Sequence, residues 1–259
     1  MTASIFETPP FQHAKFSIFL LIALSAFQLK VGIIQGWKMQ SDFPNYYIAS
    51  KLLSEHKDLS QIYDDQWFND QKKNYGISLP VFMKFSPYPP PSAFVFLPLV
   101  SFDPLTAKRI WMIVTILLFF VTASVIKKIT KWKTIHCLNL LLLTGIGLAN
   151  NFYLGQVYLL LLLLMLLGYS MEEREKSFVG GVLLGAGIAV KYFPVILLPG
   201  FFKDKKIWLG AISSFLAINL VAFFFFGWNV YEEYLKSVFL PHLNGNLSSQ
   251  SQWSSAFQS

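Results

Sequence analysis

Long apolar runs alternate with short polar stretches along most of this chain. The first run, "FSIFLLIALSAFQLKVGII" (16–34), matches the roughly 20 residues of a membrane-spanning helix. Lys15 ahead of it also fits a signal peptide. The run is longer than a typical signal and more spans follow, so an uncleaved span is expected. "RIWMIVTILLFFVTASVI" (109–126) and "IWLGAISSFLAINLVAFFFFGW" (207–228) are further full-length runs. "IHCLNLLLLTGIGLA" (135–149) and "VYLLLLLLMLLGY" (157–169) are short and borrow length from their flanks. The run 178–202, "FVGGVLLGAGIAVKYFPVILLPGFF", is broken near its middle by Lys191 and Pro194.

Basic residues orient these runs, because Lys and Arg collect in cytoplasmic loops. "KKITKWK" follows the second span, and "SMEEREKS" and "KDKK" flank the run 178–202. With 127–134, 171–177 and 203–206 in the cytoplasm, residues 36–105, "NNFYLGQ" (150–156) and the tail 229–259 lie outside. A run that starts and ends in the cytoplasm must turn back, so 178–202 reads as a helical hairpin tipped at Lys191–Pro194. Each arm of about 12 residues reaches only about 18 Å, so the tip lies within the membrane. Gly181, Gly185 and Gly187 would let the first arm pack closely on a neighbour. "PPPSAFVFLPLVSF" (89–102) is too short and too proline-rich to span and is expected at the interface. The sum is an all-α polytopic membrane protein with about seven transmembrane helices in one domain, 1–259. Its large first extracytoplasmic loop holds juxtamembrane helices.

Composition agrees: 54% of residues are hydrophobic and 14% charged, well below the charge of a soluble domain. The net charge of +7 sits in loops between spans and forms no nucleic-acid surface. Cys137 has no partner for a disulfide, and the four His lack metal-ligand spacing. Neither a metal nor a cofactor is expected.

Three polar stretches fall on the outer side in this topology. In the first, "PNYYIASKLLSEH" has helical apolar spacing and reads as a helix over 44–56 along the membrane surface. Asp42 before it is either a helix cap or a general base. Asp64 and Asp65 read as turn residues. The second stretch carries Asn150, Asn151 and Gln156. The third, "NGNLSSQSQWSS", includes a glycosylation-type triplet at Asn246. Lys191 either reaches to the interface as an anchor or meets an anion in an outward-opening cavity.

The order of five segments resembles glycosyltransferase family 87, the polyprenol-phosphate-dependent, mannosyltransferase-like group with a GT-C fold. They are "SDFPNYYIASKLL", "QIYD", "YPPPSAFVFLPL", "NFYLGQVYLLLLLLMLLGY" and "GVLLGAGIAVKYFPVILLP", and the resemblance covers about residues 16–259. It implies a hexosyl transfer with inversion, from a polyprenyl-phosphate sugar donor to a lipid or glycan acceptor. That chemistry would sit on the extracytoplasmic face of a bacterial inner membrane, among membrane lipids. It implies Asp42 as catalytic base and Lys191 on the donor phosphate, with Tyr46, Tyr47, Tyr88 and Gln156 lining the cleft. Two positions depart from the pattern: Tyr158 stands where the family has Asn, and Ser249 where the tail element has Asn. Relatives usually continue through further spans beyond the position of Ser259, so a C-terminally shortened form is expected. A transporter or flippase, suggested by the broken hairpin with its buried Lys, and a non-catalytic fragment are the other readings.

Overall fold

The computed structural model describes residues 13–201 and 204–244. Every regular element among them is helical. α1 (Ala14–Phe27) runs on as a π-helical stretch, Gln28–Ile34, making one span. α2 (Asp42–Ser54), α3 (Asp65–Asn74) and a 3₁₀ segment (Pro90–Leu99) build the first loop. α4 (Pro104–Thr130) starts at Asp103, whose carboxylate accepts from the Leu105 and Thr106 N–H groups, with Pro104 in the first turn. Lys131, in the left-handed conformation, ends it.

α5 (Thr134–Leu142) and α6 (Ile146–Leu154) form one bent pair, kinked by 77°. Gly145 supplies the positive φ at the kink, and Gln28 of the π-helical stretch donates to its freed carbonyl. α7 (Tyr158–Glu172) and α8 (Ser177–Val190) follow, then a 3₁₀ segment (Phe193–Phe201) and α9 (Lys205–Phe226). α10 (Trp228–Glu233), a π-helical stretch (Tyr234–Phe239) and α11 (Leu240–Leu243) close the described chain.

Among the described residues, three helices are long and apolar enough to cross a membrane, and the bent pair makes a fourth if counted as one span. The expectation of about seven is therefore not met by length. α7 has 15 residues and α8 has 14, about 22 Å of helix, short of a hydrocarbon core of roughly 30 Å. The long helices expose apolar rows, such as Leu216, Leu220 and Phe224 on α9, as a lipid-facing surface does. The chain forms an integral membrane protein.

α8 and α9 run side by side in the same direction. A Cβ on Gly181 would strike the Ile207 carbonyl, one on Gly185 the Ala211 carbonyl, and one on Gly210 the Phe178 carbonyl. Both matched pairs advance by four residues, so the helices are parallel, and the chain between them returns to the level where α8 began. Gly187 takes no part, since a Cβ there meets nothing nearer than 3.7 Å.

At one end of the bundle, Asn139 of α5 donates to the Ser17 carbonyl near the start of α1. At the other end, Gly36 packs against Phe152, Tyr153 and Met112. The start of α4, the end of α6 and the first loop therefore meet at this second end.

α2 does not lie on a surface. Phe43 through Ser50 are all buried, as are Leu52 and Leu53. Ser50, buried on this helix, finds its partners inward and donates to the Tyr46 and Ala93 carbonyls. Phe96 of the 3₁₀ segment stacks on Tyr46 at 4.9 Å and meets Trp111 of α4 at 4.6 Å. Residues 90–99 thus cover α2, and ten residues of 3₁₀ helix are short for a span.

Candidate active site

Asp42 is the first helical residue of α2, after the N-cap Ser41, so it cannot serve as the cap. It is partly exposed, and its carboxylate accepts from the Gln156 side-chain amide and from the Ser41 hydroxyl at 3.3 Å. Gln156 is buried in the turn between α6 and α7. Its carbonyl oxygen accepts from the Tyr46 hydroxyl at 3.0 Å and from Lys191 Nζ at 3.0 Å. Only one amide orientation satisfies all three partners, because the reverse would set a carbonyl against a carboxylate. Gln156 therefore stands between an acid and a cation and binds both.

Lys191 follows the last residue of α8, where the backbone becomes extended. Its ammonium lies over three tyrosine rings: Tyr158 at 4.1 Å, Tyr88 at 5.0 Å and Tyr46 at 5.8 Å. Ring faces hold a cation in place without neutralising it, so its charge stays available to an anion. Tyr88 packs on Tyr46 at 4.3 Å between ring centroids. Burial, and then the Asp42 carboxylate, push the Tyr88 phenol well above its ordinary pKa. Burial, with Tyr88 and Asp42 adding to it, does the same to Tyr46. Both hydroxyls are therefore neutral donors at physiological pH.

The structure thus brings five of the six sequence candidates together: Asp42, Tyr46, Tyr88, Gln156 and Lys191. Tyr47 stands apart. Its hydroxyl donates to the Phe102 carbonyl at 2.6 Å, because successive helical residues point about 100° apart. Tyr158, noted in the sequence only as a departure, is the ring nearest the ammonium. Lys108, at the start of α4, is fully buried and donates to the Phe152 and Tyr153 carbonyls.

Lys191, Tyr88 and Tyr158 share the wall of a cavity of about 520 Å³ with Tyr192, Tyr234 and Phe239. It is mainly apolar, with the cation as its one charge. The other acids sit elsewhere. Asp64 caps α3 through the Trp67 N–H. Asp65 lines a separate cleft with Glu233. Burial, opposed by Lys84 and aided by Asp64, holds the Asp65 carboxyl above the usual carboxylate range. The polar tail stretch, with Asn246 and Ser249, lies outside the described residues apart from Asn244.

Comparison with known proteins gives one family. The model for glycosyltransferase family 87 matches residues 85–258, about two thirds of the chain. That span includes Tyr88, Gln156 and Lys191, while Asp42 and Tyr46 precede it. No curated protein and no solved structure matches.

Proposed function

We propose that this chain, which belongs to glycosyltransferase family 87 and is a membrane glycosyltransferase, takes a hexose from a polyprenyl-phosphate donor. The sugar, mannose or a close relative, passes to a lipid or glycan hydroxyl on the extracytoplasmic face of a bacterial inner membrane. One domain does this work, with the first loop, the α8 turn and the tail all contributing on that face. One observation carries the reading: an acid and a cation are bridged by a single amide, and the cation faces an aromatic, mainly apolar cavity.

Each group has a defined task. Asp42 takes the proton of the acceptor hydroxyl as that oxygen attacks the anomeric carbon. The bond from that carbon to the phosphate oxygen breaks on the opposite face, so configuration inverts. The bonding electrons leave on the polyprenyl phosphate. Lys191 receives the negative charge that builds there, and the Tyr88 hydroxyl is a neutral donor beside it. The apolar walls of the cavity suit the isoprenoid chain next to the phosphate. Gln156 keeps acid and cation from pairing directly, so both stay free for substrate.

The test follows labelled sugar from polyprenyl-phosphate donors into lipid and glycan fractions of membranes holding wild type or Asp42→Asn. Loss of a general base is worth about 10²–10⁴ in rate. The Asp42→Asn protein should be present at normal level and slower by that factor. Equal transfer by both proteins would remove Asp42 from the chemistry.

A further inference from the structure

Lys108 is the only Lys, Arg, Asp or Glu among the described residues whose whole residue is buried. No carboxylate pairs with it: the two ion pairs among the described residues are Lys51–Glu55 and Lys236–Glu232. A charge is costly to hold in such a place, and an apolar side chain of similar volume would fill it more cheaply. The cost is tied to position. Lys108 Nζ donates to the Phe152 carbonyl at 3.0 Å and the Tyr153 carbonyl at 3.2 Å, the last turn of α6. It presses on Gly155 so closely that a Cβ there would lie 2.7 Å from the ammonium. It also lies 5.8 Å from the centre of the Phe43 ring. One cation therefore lies against the residue before Gln156 and over the ring of the residue after Asp42.

We propose that Lys108 is a positioning residue for sugar transfer, setting the α6–α7 turn so that Gln156 reaches Asp42 and Lys191 together. The proposal rests on the reading of Asp42 as base. Lys108 lies within electrostatic reach of Asp42 without forming an ion pair with it, and acts through the turn. Gly155 is required with it, both for its left-handed backbone (φ +76°) and for the missing side chain.

The experiment is a double-mutant cycle on transfer rate with wild type, Lys108→Met, Gln156→Ala and the double variant. Residues that act through one another lose non-additively. Lys108→Met should cost about tenfold and Gln156→Ala about a hundredfold, with the double variant within about twofold of Gln156→Ala alone. Losses that multiply, to about a thousandfold, would overturn the proposal. Where Lys108→Met fails to accumulate, Lys108→Gln, which keeps a donor, takes its place in the cycle. If wild type transfers nothing from any donor, the sugar-transfer reading fails by itself. Amide hydrogen exchange then decides the positioning role. Residues 155–159 should exchange about tenfold faster in the Lys108 variant while α9 is unchanged, since local opening is read residue by residue. Unchanged protection in the turn would overturn it.

Discussion

Tyr46 donates to Gln156, and Tyr47, one residue on, donates to the Phe102 carbonyl. Their substitution by Phe should separate function from stability. Tyr46→Phe removes one of the bonds that fix the Gln156 amide and should slow transfer about tenfold, with a small change in thermal midpoint. Tyr47→Phe should lower stability by about 1 kcal/mol and leave transfer within about twofold. Paired rate and detergent-unfolding measurements check this, and equal rate losses would contradict it. Asp42, Lys191 and Gln156 stood out in the sequence as polar groups at the ends of apolar runs, and the structure brings their side chains together. Nothing in the sequence singles out Lys108, for a physical reason. A lysine before an apolar run looks the same whether water or two helix-end carbonyls satisfy it. The difference lies 44 residues away at Phe152.

Elements were legible where length decided them, as in α4 and α9. They were blurred where a break decided them. The run 135–149 looked continuous, yet Gly145 bends it, and the partner that makes the bend tolerable is Gln28, distant in sequence. The glycines of α8 were expected to permit close packing. Gly181 and Gly185, four residues apart on one face, meet α9, while Gly187 lies off that face. Gly181→Ala should therefore overpack the pair and cost about 1–3 kcal/mol, read as a lower thermal midpoint in detergent. Gly200→Ala, where a Cβ meets nothing within 4 Å, should leave the midpoint unchanged and is the control.

For the whole molecule, basic-loop counting gives an expected side for each loop, while helix length among the described residues gives three or four full spans. Short helices such as α7 and α8 satisfy hydropathy without reaching across. The arrangement makes a labelling prediction, with Cys137 replaced by Ser. A cysteine at Lys57, in the first loop, should react with an impermeant thiol reagent in intact cells. A cysteine at Arg174, between α7 and α8, should react only after permeabilisation. Labelling of both in intact cells would place these loops on one side. The burial of α2 on every side has an evolutionary consequence. Asp42 rides on a helix with no idle face, so hardly any substitution over 43–53 is silent. Drift in this chain is channelled instead to the lipid-facing rows, where Leu216, Leu220 and Phe224 need only stay greasy.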